Sequence, residues 1–285
     1  TDYDLRRVVE TVQQFNPQHG AQPARLSQFD PDLPALATAN GKESAKVLRE
    51  VLDEVQFDIG NGGLRAATAH GNYETNPFPL PSSFIGVNEI RAMLAEALKR
   101  PNRPRALTRR LQLAFEFFMF GEALTQRELE ELVGEGRRVR IDDFIHLGLF
   151  RVTPDRKVRM NGLSLVSKEL KNGEVLYILA DTPLYFETRL APERVYIGDD
   201  SYLLLDKVSE VPDISGYCVE MGSGSGIQLI AALKQFPRIQ KTIGFEIDKR
   251  AIRVSHFNAA LNGVEEKMIV VDTEEALREQ LAENH

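Results

Sequence analysis

The stretch Ile214-Ser-Gly-Tyr-Cys-Val-Glu-Met-Gly-Ser-Gly-Ser-Gly226 decides how the chain reads. Its apolar half, with Ile214, Tyr217, Cys218 and Val219, predicts a strand over 214–219 that runs into Glu220. Gly222, Gly224 and Gly226 then predict a tight turn. Residues 227–236 continue as an apolar helix, and Thr242-Ile-Gly-Phe predicts a second strand over 242–246, closed by Glu246, Ile247 and Asp248. Strand, glycine turn, helix and a strand ending in an acid make the first half of a nucleotide-binding α/β sheet. Glycines in such a turn let a ligand approach backbone N–H groups without interference from Cβ. Glu246, 20 residues after Gly226, is expected at the carboxyl end of the neighbouring strand, where a carboxylate can accept from both ribose hydroxyls.

The turn departs from the dinucleotide pattern G-x-G-x-x-G, because the positions for a third glycine hold Ile227 and Leu229. What stands there is acid-x-Gly-x-Gly-x-Gly, and a carboxylate at Glu220 would repel a pyrophosphate while suiting a cationic amino group. On these residues the stretch resembles the class I S-adenosylmethionine-dependent methyltransferases. The resemblance implies an α/β fold with a Rossmann-like sheet and S-adenosyl-L-methionine as cofactor. It further implies that Glu220, Gly222, Ser223, Gly224 and Gly226 hold the methionine portion and Glu246 the ribose, with Ile247 a further cofactor-binding residue. Arg253-Val-Ser-His-Phe-Asn-Ala-Ala-Leu-Asn-Gly-Val264, after Asp248-Lys-Arg-Ala251, looks like the group that methylates release-factor glutamine and ribosomal RNA guanine. In that group an acid after the third strand, here Asp272 following Val271, faces the adenine amino group. Tyr196-Ile-Gly-Asp-Asp-Ser201 is similar to the segment that caps the methionine end of the cofactor. Ser201 there either contacts the cofactor or caps the helix carrying Leu203 to Leu205.

By this resemblance the expected reaction is methylation of a planar amide or amine nitrogen on a protein, an RNA or a small molecule. No catalytic residue is assigned, because the Asn-Pro-Pro-aromatic motif of the resembled group does not occur after Asp272. Asn76-Pro77-Phe78 lacks one of its prolines and lies far upstream, so it reads as an ordinary turn. Two other readings compete. A dehydrogenase of the NAD type is disfavoured by Glu220 and the missing glycine. A non-enzymatic, nucleic-acid-binding regulator would use the sheet only to sense a nucleoside.

Upstream, four segments are expected: a helical region with long loops over 1–100, a winged-helix-like module over 101–165, a β-containing connector and cofactor cap over 166–212, and the sheet from 213 to 285. Helical spacing of apolar residues predicts helices near 5–15, 43–56, 88–99, 105–120 and 139–147. Residues 18–42 and 57–83, rich in proline or glycine, read as connectors. Thr125-Gln-Arg-Glu128 predicts a capping box. Phe150-Arg-Val-Thr, the turn Pro154-Asp-Arg156 and Lys157-Val-Arg-Met predict a hairpin, and helix, helix, helix, hairpin is the winged-helix order. Strand-like segments follow at 175–179 and 195–198.

Charge is uneven. The chain carries a net charge of −7, yet residues 99–171 hold 16 basic and 10 acidic side chains. That region is a candidate for RNA or DNA contact, with Arg103, Arg105, Arg109 and Arg110 the test positions and Asp142 and Asp143 opposing it. Five histidines and the lone Cys218 show no metal-ligand spacing, so no metal is expected. A single cysteine and no readable signal peptide suit a cytoplasmic protein. Finally, strands at 214–219, 242–246 and 267–271 leave the first strand at an edge. In the resembled class a fourth strand pairs there, and it is expected beyond His285.

Overall fold

The computed structural model describes residues 33–57, 105–134, 138–181, 195–208, 210–211 and 214–283. The helices expected near 5–15 and 88–99, the breaker-rich run 58–83 with Asn76, and Arg103 lie outside the described residues. A 3-10 turn, Pro34–Ala37, leads into α1, Ala39–Glu54, so the connector read over 18–42 already contains the start of this helix. Thr38 caps α1 by accepting from the Gly41 N–H at 3.2 Å.

The helix expected over 105–120 is two structures. An α-helix, α2, spans Arg105–Ala114, and Phe115–Met119 then widens into a π-helical turn in which Phe120 N–H donates to Phe115 O at 3.0 Å. Phe115, Phe117, Phe118, Met119 and Phe120 are all buried. Such a run, apolar on most sides with Glu116 the exception, is stable only where protein surrounds it. Phe117 meets Phe118 and Phe150 edge-to-face, at centroid separations of 5.1 and 4.8 Å. Helices α3, Gln126–Val133, and α4, Arg138–His146, follow, and then the hairpin β1–β2, Phe150–Val152 and Val158–Met160. The capping box is present: Thr125 N–H donates to Glu128 Oε2 at 3.0 Å, and Glu128 N–H to Thr125 Oγ1 at 3.3 Å. Helix, helix, helix, hairpin is thus the observed order of elements.

A longer antiparallel hairpin, β3 (Leu163–Glu169) with β4 (Val175–Asp181), joins this module to the sheet. The segment at 195–198 is not a strand; it is held by Val195, whose carbonyl accepts from Asp181 N–H at 3.0 Å. Helix α5, Asp199–Val208, follows. The sheet then runs β5 (Gly216–Met221), α6 (Ile227–Gln235), β6 (Ile239–Phe245), α7 (Lys249–Leu261), β7 (Met268–Val271) and α8 (Glu274–Glu283). Its strands are parallel in the order β5-β6-β7. Among the described residues β5 is therefore an edge, and its alternate residues Tyr217, Val219 and Met221 are exposed. No helix among the described residues is long and apolar enough to cross a membrane.

Helix α7 fastens the two parts together. Asn262 accepts from Tyr177 N–H and donates to Tyr177 O, while Asn258 does the same for Leu179. One turn of helix, four residues at 1.5 Å, advances about 6 Å, close to the advance of two strand residues. Asparagines four apart can therefore complete the free edge of β4 as a neighbouring strand would. At the same edge, Arg250 and Asp181 form a buried ion pair, with Nε to Oδ1 at 2.9 Å.

Candidate functional site

Parallel strands present their carboxyl ends together, and here these ends carry Glu220, the glycine turn 222–226, Glu246, Ile247 and Asp272. Three glycines adopt positive φ, 71° at Gly222, 52° at Gly224 and 76° at Gly226, a region disfavoured for other residues. The turn folds tightly over β6. Gly222 and Ser223 N–H groups both converge on Phe245 O, at 2.7 and 3.2 Å. Around Gly222 and Gly224 a Cβ would meet nothing within 4 Å, so the upper side of the turn is open. Its lower side is closed: at Gly226 a Cβ would lie 2.5 Å from Met268 Cε.

The same contact explains a glycine in mid-strand. A Cβ at Gly244 would stand 2.7 Å from Ser223 Oγ and 2.9 Å from Leu229 Cδ1. Gly244→Ala is therefore expected to lift the turn off β6 and lower the unfolding free energy by about 1–3 kcal/mol. Denaturant unfolding checks this; a midpoint unchanged from wild type would show that the turn can shift freely.

Glu246 latches the turn. Its Oε2 accepts from Gly224 N–H at 2.9 Å, and its Oε1 from Ile247 and Asp248 N–H at 2.8 and 2.9 Å. A carboxylate offers about four lone-pair sites, so three are engaged within the protein. The expectation that Glu246 serves both ribose hydroxyls is met only if the Gly224 bond is shared or exchanged. Asp248 plays a different part: its Oδ1 caps α7, accepting from Arg250 and Ala251 N–H.

Glu220 sits opposite Gly244 in the register. Its Oε2 is buried and meets no hydrogen-bond partner. Burial, with the Glu246 carboxylate beside it, pushes its pKa up to about 7. Ser223 is buried with its hydroxyl likewise without a partner. A buried polar atom without a partner is costly, and here two such atoms flank one turn whose open side faces outward.

The remaining residues are more peripheral. Ile247 is 74% exposed and Asp272 is exposed at the end of β7. Ser201 accepts from Gly198 N–H at the long distance of 3.5 Å, the geometry of a side chain reaching back to cap its own helix. Gln228 Nε2 donates to Ser201 O at 3.4 Å, which ties α5 to the first turn of α6. Asn258 was not read as a site residue, yet its Nδ2 donates to Ser225 O at 3.0 Å and so fixes the turn from below. Its place in the stretch 253–264, four residues before Asn262, is the local signal that marks it. His256 on α7 is partly buried, and burial together with Lys42 lowers its pKa. Among the described residues no cluster of histidine, cysteine or acids could hold a metal.

Of the four arginines proposed for nucleic acid, two are engaged within the fold. Arg109 pairs with Glu128 at 3.1 Å, while Arg110 pairs with Glu54 at 3.1 Å and donates to Leu132 O.

A family model described as ribosomal protein L11 methyltransferase matches residues 203–284, from within α5 to the end of the described sheet. No curated protein matches. Among solved structures, a protein described as a SAM-dependent methyltransferase from Streptococcus mutans is similar at 14% identity and a TM-score of 0.31, over 56% of this chain and 40% of that one. A methyltransferase complexed with SAH is similar at 12% identity and a TM-score of 0.30, over 56% and 39%. An O-methyltransferase family 2 protein from Planctomyces limnophilus, complexed with apigenin, gives 13% identity and a TM-score of 0.21 over 62% and 65%. Likenesses of this size assign no activity, and the chain spans about 40% of the length of the first two structures.

Proposed function

We propose that the carboxyl end of this sheet binds S-adenosyl-L-methionine and that the protein serves methyl transfer. The observation that carries the reading is the buried, unpartnered Oε2 of Glu220 beside a glycine turn open on its outer side. An ammonium group placed there would satisfy the carboxyl and neutralise the crowding of two acids. The family match over 203–284 supports the same reading, because it falls on this sheet.

In this reading Glu220 receives the amino group of the methionine portion. The glycine turn admits it closely, and Glu246 offers its remaining lone pair to the ribose. Ile247 and Asp272 flank the adenine, and Ser201 stands at the methionine end. The cofactor supplies an already activated methyl group, so the protein mainly aligns donor and acceptor and excludes water. The acceptor we favour is a planar amide or amine nitrogen. A reducing, cytoplasmic setting suits the lone thiol of Cys218, whose pKa burial raises.

Isothermal calorimetry with S-adenosylmethionine, S-adenosylhomocysteine and NADH tests the assignment. Binding of the first two and not of NADH is expected. Binding of NADH alone would replace this reading with the dehydrogenase.

A further inference from the structure

Away from the sheet, the short hairpin β1–β2 carries two guanidinium groups that join no carboxylate in an ion pair among the described residues. Arg151 and Arg159 stand directly opposite each other in the register. They lie on the face turned away from Phe150, Val158 and Met160, which are buried. Like charges directly opposed across a sheet are destabilising, and both side chains are also partly buried. Burial lowers both guanidinium pKa values, and Arg151 itself lowers that of Arg159 further.

The partners available are few. Arg159 Nη2 donates to Gly121 O at 2.7 Å, but Arg151 Nε is buried with no acceptor. Among the described residues no ion pair joins either arginine to a carboxylate, while the charge of Glu122 raises the Arg159 pKa against the larger effect of burial. Asp155 at the hairpin tip is taken up by Thr153 Oγ1 at 2.5 Å and by Lys157 at 3.6 Å. This contrasts with Arg109 and Arg110, whose acids are in place.

We propose that Arg151 and Arg159 form a binding site for a phosphate oxyanion. Residues paired across an antiparallel ladder are about 5.5 Å apart at Cα, so two guanidinium forks can converge on one tetrahedral anion. Each fork supplies planar N–H donors matched to phosphate oxygens, including the Arg151 Nε that now lacks an acceptor. The surplus of basic residues over 99–171 adds a field that attracts such an anion. The phosphate belongs either to a nucleic-acid backbone or to a free or small-molecule phosphate.

Inorganic phosphate, titrated at constant ionic strength against chloride, should raise the Tm of the full chain by mass action. Arg151→Gln breaks no side-chain hydrogen bond seen among the described residues and should abolish that rise. Arg151→Lys keeps the charge without the fork and should retain part of it. Fluorescence anisotropy with a short single-stranded RNA and a short duplex DNA, across a range of salt, identifies the source. If the backbone is the ligand, polymer binds and the slope of log K against log salt becomes shallower by about one in Arg151→Gln. A phosphate response without polymer binding assigns the site to a free or small-molecule phosphate. A wild-type protein indifferent to phosphate and to both polymers overturns the proposal, as does an Arg151→Gln variant that responds like wild type.

Discussion

Arg250→Ala is expected to lower the unfolding free energy by about 3–5 kcal/mol, the range for removing one partner of a buried ion pair. Arg250 is 2% exposed and Asp181 5%, so truncation takes the guanidinium away from a carboxylate in the interior that also accepts from Val195 N–H at Oδ2, at 2.9 Å. The loss should be partly recovered in Arg250→Met combined with Asp181→Leu, since an apolar pair of similar volume removes both charges of the pair from the interior. Equilibrium unfolding in urea measures both. A loss below about 1 kcal/mol in the single variant would mean that the pair is hydrated and does not fasten α7 to β4.

Glu246→Ala is expected to abolish measurable cofactor binding, a loss of at least about 100-fold. Hydrogen bonds to charged groups contribute about 1.5–3 kcal/mol each, and this carboxylate makes three to the backbone before any ligand arrives. Removing it releases Gly224 and the loop after β6 together, so the turn loses its shape as well as its acceptor. Glu246→Gln should fall between. Its amide oxygen can still accept from Ile247 and Asp248, but the amide NH2 would then face the Gly224 N–H, donor against donor. Calorimetric titration of the three proteins with S-adenosylhomocysteine checks the order. Wild-type affinity in Glu246→Ala would remove Glu246 from the site.

The candidate site is legible in the sequence because its residues follow one another in a strand–turn–helix–strand unit. Glu220, the three glycines and Glu246 stand at spacings that local periodicity reads directly, and the structure brings them to one end of the sheet. What holds them was not legible. Asn258 meets Leu179, and Asn262 meets Tyr177, across 79 and 85 residues of chain. Hydropathy and helical spacing alone do not distinguish such asparagines from exposed ones. Strand β3 is hidden in the sequence for a related reason. Ser164, Ser167 and Lys168 interrupt its apolar run, yet all three are buried, Lys168 being paired with Asp206 at 3.2 Å. The π-helical turn at Phe115–Met119 shares the apolar character of the helix before it, so composition could not mark where the hydrogen bonding changes. Asp248 looked like part of the acidic end of β6, but the N–H groups it caps belong to the next helix.

The central claim is that the Glu220 carboxyl receives a cationic amino group, and the pH dependence of binding tests it most directly. With its pKa near 7, the carboxyl of the free protein is protonated below that pH and ionised above it. An ammonium group binds the ionised form, so complex formation should drive a proton off. Affinity for S-adenosylhomocysteine is therefore expected to rise with pH through about 7 and then level, falling by up to about tenfold per unit below it. Glu220→Gln, which cannot ionise, should bind weakly and without that dependence. Affinity that stays flat across this window in wild type, and is unchanged in Glu220→Gln, would contradict the account.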